Sequence, residues 1–280
     1  DVWWIPLPNS GGVLRFLRHT SAGQRHLDFP SGLRLSVAPE WTVRPAPGAL
    51  SVIPPGAIRP GHPSAAFIEI YEAFIPNVND EHLITSMKAM LAERTRREPK
   101  SEVSRVAVGD LRCHQVHSRA STPTGERMDV TLWVLINRDH VIALAQANLE
   151  NESFVTDEMV LSILEATAWP NWSRSEALFG TWEQRERIPS GPLTEVVTRR
   201  LVLSPDGSYL RTKTATLQLP SGDDGPKSQP QEVKERSGHW YSRDGGLLLS
   251  AGLRGYRVRR ASWEQSPAAI VLEDNTWTRI

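Results

Sequence analysis

Two short motifs bracket the C-terminal part of this chain, Phe179-Gly180-Thr181-Trp182 at its start and Asn275-Thr276-Trp277-Thr278-Arg279 at its end. Between them the residues alternate as short strands. Thr181–Ile188, Leu193–Leu203, Tyr209–Leu219, Glu232–Ser242, Leu247–Ser250, Tyr256–Trp263, Ala269–Glu273 and Thr276–Ile280 give about eight runs. Turn signals separate them at Ser204-Pro205-Asp206-Gly207, Arg243-Asp244-Gly245-Gly246 and Asp274-Asn275. A small sheet escapes the hazard of exposed edges by closing on itself, which requires its first and last strands to meet. The bracket therefore predicts a closed all-β barrel over 177–280. One polar segment, Ser221–Gln231, breaks the rhythm and is expected to be a mobile loop.

The preceding part has a different period. Gly32-Leu33-Arg34-Leu35-Ser36-Val37 alternates, Ala49–Ile53 and Ala66–Phe74 are strands, and Val103–Val108, Leu111–Ser118, Arg127–Ile136 and Val141–Leu149 form a meander. Asn79 or Asp80 caps a helix over 80–97 with Leu83, Ile84, Met87, Met90 and Leu91 on one face, arginines in its last turn and Pro99 beyond. Thr156-Asp157-Glu158 opens a second helix with Val160, Ile163, Leu164 and Thr167 on its stripe, ended by Pro170. The fold class is α+β: an antiparallel sheet sandwich with two helices, then a small all-β barrel. The expected organisation is an N-terminal arm at 1–26 with a helical turn near Val13–Arg18, an α+β domain at 27–170, a linker at 171–176 and the barrel.

The strand ending in Pro39-Glu40-Trp41, the long helix and the closing Ala168-Trp169 resemble the PsbP/Mog1-like sandwiches, a family that includes small secretion chaperones. The Gly-x-Trp on the first barrel strand and the Arg on the last resemble the lipocalin-like (calycin) barrels. That resemblance implies a clasp in which Trp182 closes one barrel end and stacks beneath Arg279. The PsbP/Mog1-like family brings no shared catalytic set.

Composition narrows the chemistry. Lys plus Arg equals Asp plus Glu at 32 each, so no general field draws the chain to nucleic acid, and no nucleic-acid partner is expected. Cys113 is the sole cysteine, which excludes an intrachain disulfide and a thiolate zinc cluster. No segment approaches the ~20 apolar residues of a membrane helix. The start at Asp1, without Met, leads us to expect a removed export signal and a periplasmic or extracellular protein, with the cytoplasm as the alternative. There is no Gly-x-Ser-x-Gly elbow and no strand–glycine loop–helix phosphate cradle. His114 and His117 sit at an odd separation on a strand, a poor metal pair, and Asp80-Glu81-His82 reads as helix capping. No catalytic residue, metal or cofactor is expected.

Two sets of residues are candidates for binding. Trp240, Tyr241, Tyr256 and Trp263 could line a pocket for a small hydrophobic ligand, against the commoner outcome of core filling. The adjacent Trp3 and Trp4 could meet a protein partner, against the commoner outcome of docking. Arg254, Arg257, Arg259 and Arg260, with Arg199 and Arg200, could make a basic strip on the barrel wall; alternation splits them between faces, so they read as a solvated outer face. The expected function is a non-enzymatic, two-domain bacterial envelope or exported protein that binds a protein partner and a small ligand. The alternatives are a cytosolic secretion-system chaperone or immunity protein and an uncharacterised hydrolase, which would need His114 or His117 near a carboxylate in a cleft.

Overall fold

The computed structural model describes residues 2–6, 13–21, 23–46, 49–60, 63–95, 102–122, 124–190, 193–218, 228–243, 245–252, 256–264 and 268–280. The chain divides after Pro170 into two compact units.

In the first unit, β1 (Val2–Pro6), β2 (Val13–Ser21), β3 (Gln24–Asp28) and β4 (Arg34–Val37) form a four-stranded sheet in chain order. The expected arm is thus a pair of strands, with Trp3 opposite Phe16 and Trp4 opposite Arg15. Apolar residues at 13, 14, 16 and 17 suit a helical turn by spacing alone, but pairing to β1 and β3 makes this segment a strand. A second, seven-stranded antiparallel sheet contains β5 (Thr42–Ala46), β6 (Ala49–Ile53), β7 (Ala66–Phe74), β8 (Ser104–Val108), β9 (Leu111–Ser121), β10 (Arg127–Asn137) and β11 (His140–Leu149). Its order is β5-β6-β7-β11-β10-β9-β8. β5 contains Pro45 and lies at the sheet edge, where a missing N–H breaks no ladder.

The helices are α1 (Asp80–Thr95) and α2 (Asp157–Glu165). The Asn79 side-chain oxygen accepts from the His82 N–H, so Asn79 rather than Asp80 is the cap; Thr156 does the same for Met159 in α2. Leu83, Met87 and Leu91 of α1 and Val160, Ile163 and Leu164 of α2 are buried in one core with Ile68, Ile70, Leu132 and Trp133. The arginines at 96 and 97 and the end of the helix lie outside the described residues.

The second unit is a closed antiparallel barrel of β12 (Gly180–Ser190), β13 (Leu193–Leu203), β14 (Ser208–Gln218), β15 (Ser228–Arg243), β16 (Gly246–Ser250), β17 (Tyr256–Ser262), β18 (Ala269–Leu272) and β19 (Asn275–Arg279). Glu273 and Asp274 both have positive φ, making a two-residue turn whose twist suits the β18–β19 hairpin. β15 starts at Ser228, inside the segment expected to be loop, and the remainder of that loop lies outside the described residues. Nor is 171–176 a free linker. Ser173 bridges Ser242 of β15 through both backbone directions, and the Arg243 guanidinium lies 4.7 Å from the centre of the Trp172 ring.

Candidate functional site

Alternation along the barrel strands sorts their side chains into inner and outer sets. Towards one end the inner set is apolar. Trp182, Leu201, Leu203, Trp240, Leu247, Ile270, Leu272 and Trp277 form a single buried core. Trp182 is fully buried, and its Nε1–H donates to the Leu178 carbonyl at 2.9 Å. It pairs in register with Arg279, whose guanidinium lies 5.2 Å from the centre of the Trp182 ring and donates to the Phe179 carbonyl. Gly180 lets this happen. Its φ is +131°, and a Cβ there would sit 3.1 Å from Arg279 Nε. First and last strands are thus joined by ladder, cation–π contact and side-chain hydrogen bond together.

Further along the same inner face the chemistry changes. Arg199 follows two residues before Leu201, Arg211 two after Tyr209, and Arg257 and Arg259 lead to Ala261. These side chains share the parity of the core and so point inward. Arg200 and Arg260, one residue out of step, are exposed on the outer face. The arginines are split between the two faces as their alternation predicts, but the inward members do not belong to a solvated outer face, because a strand's pleat rather than residue polarity decides the direction; Arg254 lies outside the described residues. A cavity of about 210 Å³ opens at this level, with Gln184, Glu186, Arg199, Arg211, Arg259, Glu273 and Asn275 around Leu201, Leu249, Leu272 and Trp277.

Among the described residues that line the cavity, charge is only partly compensated. Arg199 pairs with Glu186 at 2.7 Å and Arg259 pairs with Glu273. Arg211 is half-buried and has no hydrogen bond or ion pair among the described residues. Burial, reinforced by Arg259, Arg236, Arg199 and Arg257, pushes its guanidinium down to about 10.

The four aromatic candidates do not gather around this cavity. Trp240 is fully buried in the barrel core and donates from Nε1 to the Ser204 carbonyl, while its neighbour Tyr241 points to the opposite face beneath Arg174. Tyr256, adjacent to inward Arg257, is buried on that outer face, and Trp263 packs half-buried against the core. Side-chain alternation separates them, so one shared pocket is ruled out. The side chains of Trp3 and Trp4 lie outside the described residues.

In the first unit, Cys113 is buried, and burial pushes its thiol up to about 12, far from a ready thiolate. His114 is also buried. Its Nε2 lies 3.5 Å from Asp80, neither ring nitrogen has a hydrogen-bond partner, and burial lowers its affinity for a proton. His117, on the other face, meets Thr131 at 2.8 Å. Sequence reading missed a buried polar trio. The Ser31 hydroxyl donates to Glu72, and His140 Nε2 is 2.5 Å from the same carboxylate oxygen. The trio ties the loop that carries Ser31 to β7 and β11. Among the described residues, no His, Cys, Asp and Glu side chains group to hold a metal, and no helix is long and apolar enough to cross a membrane.

No protein-family model and no curated protein matches the sequence. Several solved structures are similar to part of it. A protein from Bacteroides thetaiotaomicron VPI-5482 shares 10% identity over 56% of this chain and 50% of its own, at a TM-score of 0.34. This chain thus spans about half the length of that protein. LpqN, involved in cell envelope biogenesis of Mycobacterium tuberculosis, shares 15% identity over 55% of this chain and 90% of its own, at a TM-score of 0.35. Likenesses this distant carry no statement about activity, ligand or compartment.

Proposed function

We propose that the chain is a non-enzymatic, two-domain binding protein whose barrel holds a small ligand in its charged cavity. The observation that carries this reading is the division of the barrel interior. Most of a small barrel's inside is spent on packing, and here an apolar floor with Trp277 and Leu272 gives way to a polar, open layer. Such an arrangement suits a ligand with a polar head and a small apolar body better than the purely hydrophobic ligand expected from the aromatics. The Trp182–Arg279 contact supports a lipocalin-like assignment of the barrel. Docking of a protein partner falls to the α+β unit, a role supported by the resemblance of its element order to PsbP/Mog1-like sandwiches. Envelope or extracellular placement is compatible with a single buried thiol, which makes no demand for a reducing compartment.

The test is a titration of the intact chain, stripped of co-purifying small molecules, with single-ring compounds of different charge and with an apolar fluorophore. Barrel melting is the readout. Saturable stabilisation by at least one single-ring compound is expected. If every compound leaves the melting point unmoved, the cavity is not a ligand site.

A further inference from the structure

We infer that the ligand is a small oxyanion, a carboxylate or phosphate group held by Arg211, with its apolar remainder against Leu249, Leu272 and Trp277. This rests on the barrel cavity being a binding site and names its chemistry. Arg211 sits opposite Leu201 on one side and Arg236 on the other, so a guanidinium is placed over the apolar floor with a second at the rim. Arg199, Arg236, Arg257 and Arg259 surround Arg211 electrostatically, and among the described residues lining the cavity the carboxylates are Glu186 and Glu273. Those two carboxylates are taken by Arg199 and Arg259.

Like charges brought together in a partly desolvated space repel, and a barrel under selection for stability alone would place leucine or methionine at such a position. A bound oxyanion reverses the sign of the balance. The planar guanidinium fork presents two parallel N–H donors to a carboxylate or phosphate, and the surrounding arginines then attract instead of repel. At ~30 Å³ per water, the cavity volume suits several waters or one small anion with a ring-sized body. The sequence contains the signal. Arg199, Arg211, Arg257 and Arg259 keep the parity of the core residues that flank them.

The experiment is calorimetric titration of the intact chain with benzoate, benzyl alcohol, benzylamine and inorganic phosphate at fixed ionic strength. Benzoate should bind about tenfold or more tightly than benzyl alcohol, as expected when a charged hydrogen bond is gained, and benzylamine should not bind. Arg211→Gln should abolish the preference for benzoate, while Arg260→Gln on the outer face leaves it unchanged. Should Arg211→Gln fail to fold, Arg211→Met provides the second readout. It is expected to raise the melting temperature of the ligand-free barrel and to remove stabilisation by benzoate. Phosphate binding without benzoate binding assigns the site to a free inorganic anion; benzoate binding without phosphate assigns it to an organic carboxylate. Equal affinity for benzoate and benzyl alcohol overturns the anion but leaves the cavity as a binding site. Silence from all four probes overturns the anion, and the broader single-ring panel then decides the fate of the cavity itself. Retained benzoate preference in Arg211→Gln removes Arg211 from the site.

Discussion

Replacing Trp182 by Ala removes the largest single piece of the barrel closure. The indole is fully buried, packs in the apolar floor, donates to the Leu178 carbonyl and carries Arg279 on its face. Truncating a buried aromatic leaves a cavity and costs about 3–5 kcal/mol. Trp182→Phe keeps a ring but orphans the Leu178 acceptor, for a loss of about 1–2 kcal/mol. Arg279→Ala should cost less than the indole truncation. The double-mutant cycle with Trp182 should return a coupling of about 0.5–1 kcal/mol, the range of an exposed cation–π pair. Because the chain has two compact units, the unfolding free energy is best read from amide exchange of β12 and β19 in urea, not from one global signal. A Trp182→Ala loss below about 1 kcal/mol would show that the strands close without the indole, and the clasp reasoning fails.

Other perturbations probe separate parts of the fold. Gly180→Ala forces a side chain into a positive-φ position against Arg279 and should destabilise the barrel by about 1–2 kcal/mol in the same exchange assay. Gly238→Ala is expected to be worse, since a Cβ would land on the Ser250 carbonyl across the β15–β16 ladder; loss of barrel folding by circular dichroism is the expected result. His114 resists protonation because burial outweighs the nearby Asp80, with Arg105 and Arg112 opposing a positive charge. Below its ordinary value of 6.5 the unfolded chain takes a proton that the native chain refuses, so stability is intact above 6.5 and declines as pH falls towards the lowered native value. His114→Gln should flatten that part of the profile in urea melts between neutral and acidic pH, and an unchanged slope assigns it to other groups.

Much of the barrel was legible because most of its strands alternate and are separated by turns such as Ser204–Gly207. The first sheet was not, since Val13 to Arg18 satisfies a helical spacing as well as a strand, and only pairing with β1 and β3 resolves the two. Pro45 concealed β5, whose edge position makes proline harmless. The interior arginines were readable by parity, but the general preference of arginine for solvent pointed the other way. The same parity separates Trp240 from Tyr241, so grouping aromatics by proximity in sequence misjudged them. The Ser31–Glu72–His140 contact depends on the β7–β11 register, which sets His140 opposite Phe74, and no local pattern announces it.

Arginine Nε–Hε resonances of the intact chain, followed during titration with benzoate, read the barrel mouth residue by residue. Binding in the cavity moves the Arg211 and Arg259 signals along one saturable curve and leaves Arg187 and Arg260, on the outer face, where they were. Saturable binding with Arg211 unmoved, or equal movement of inner and outer arginines, contradicts a ligand site inside the barrel.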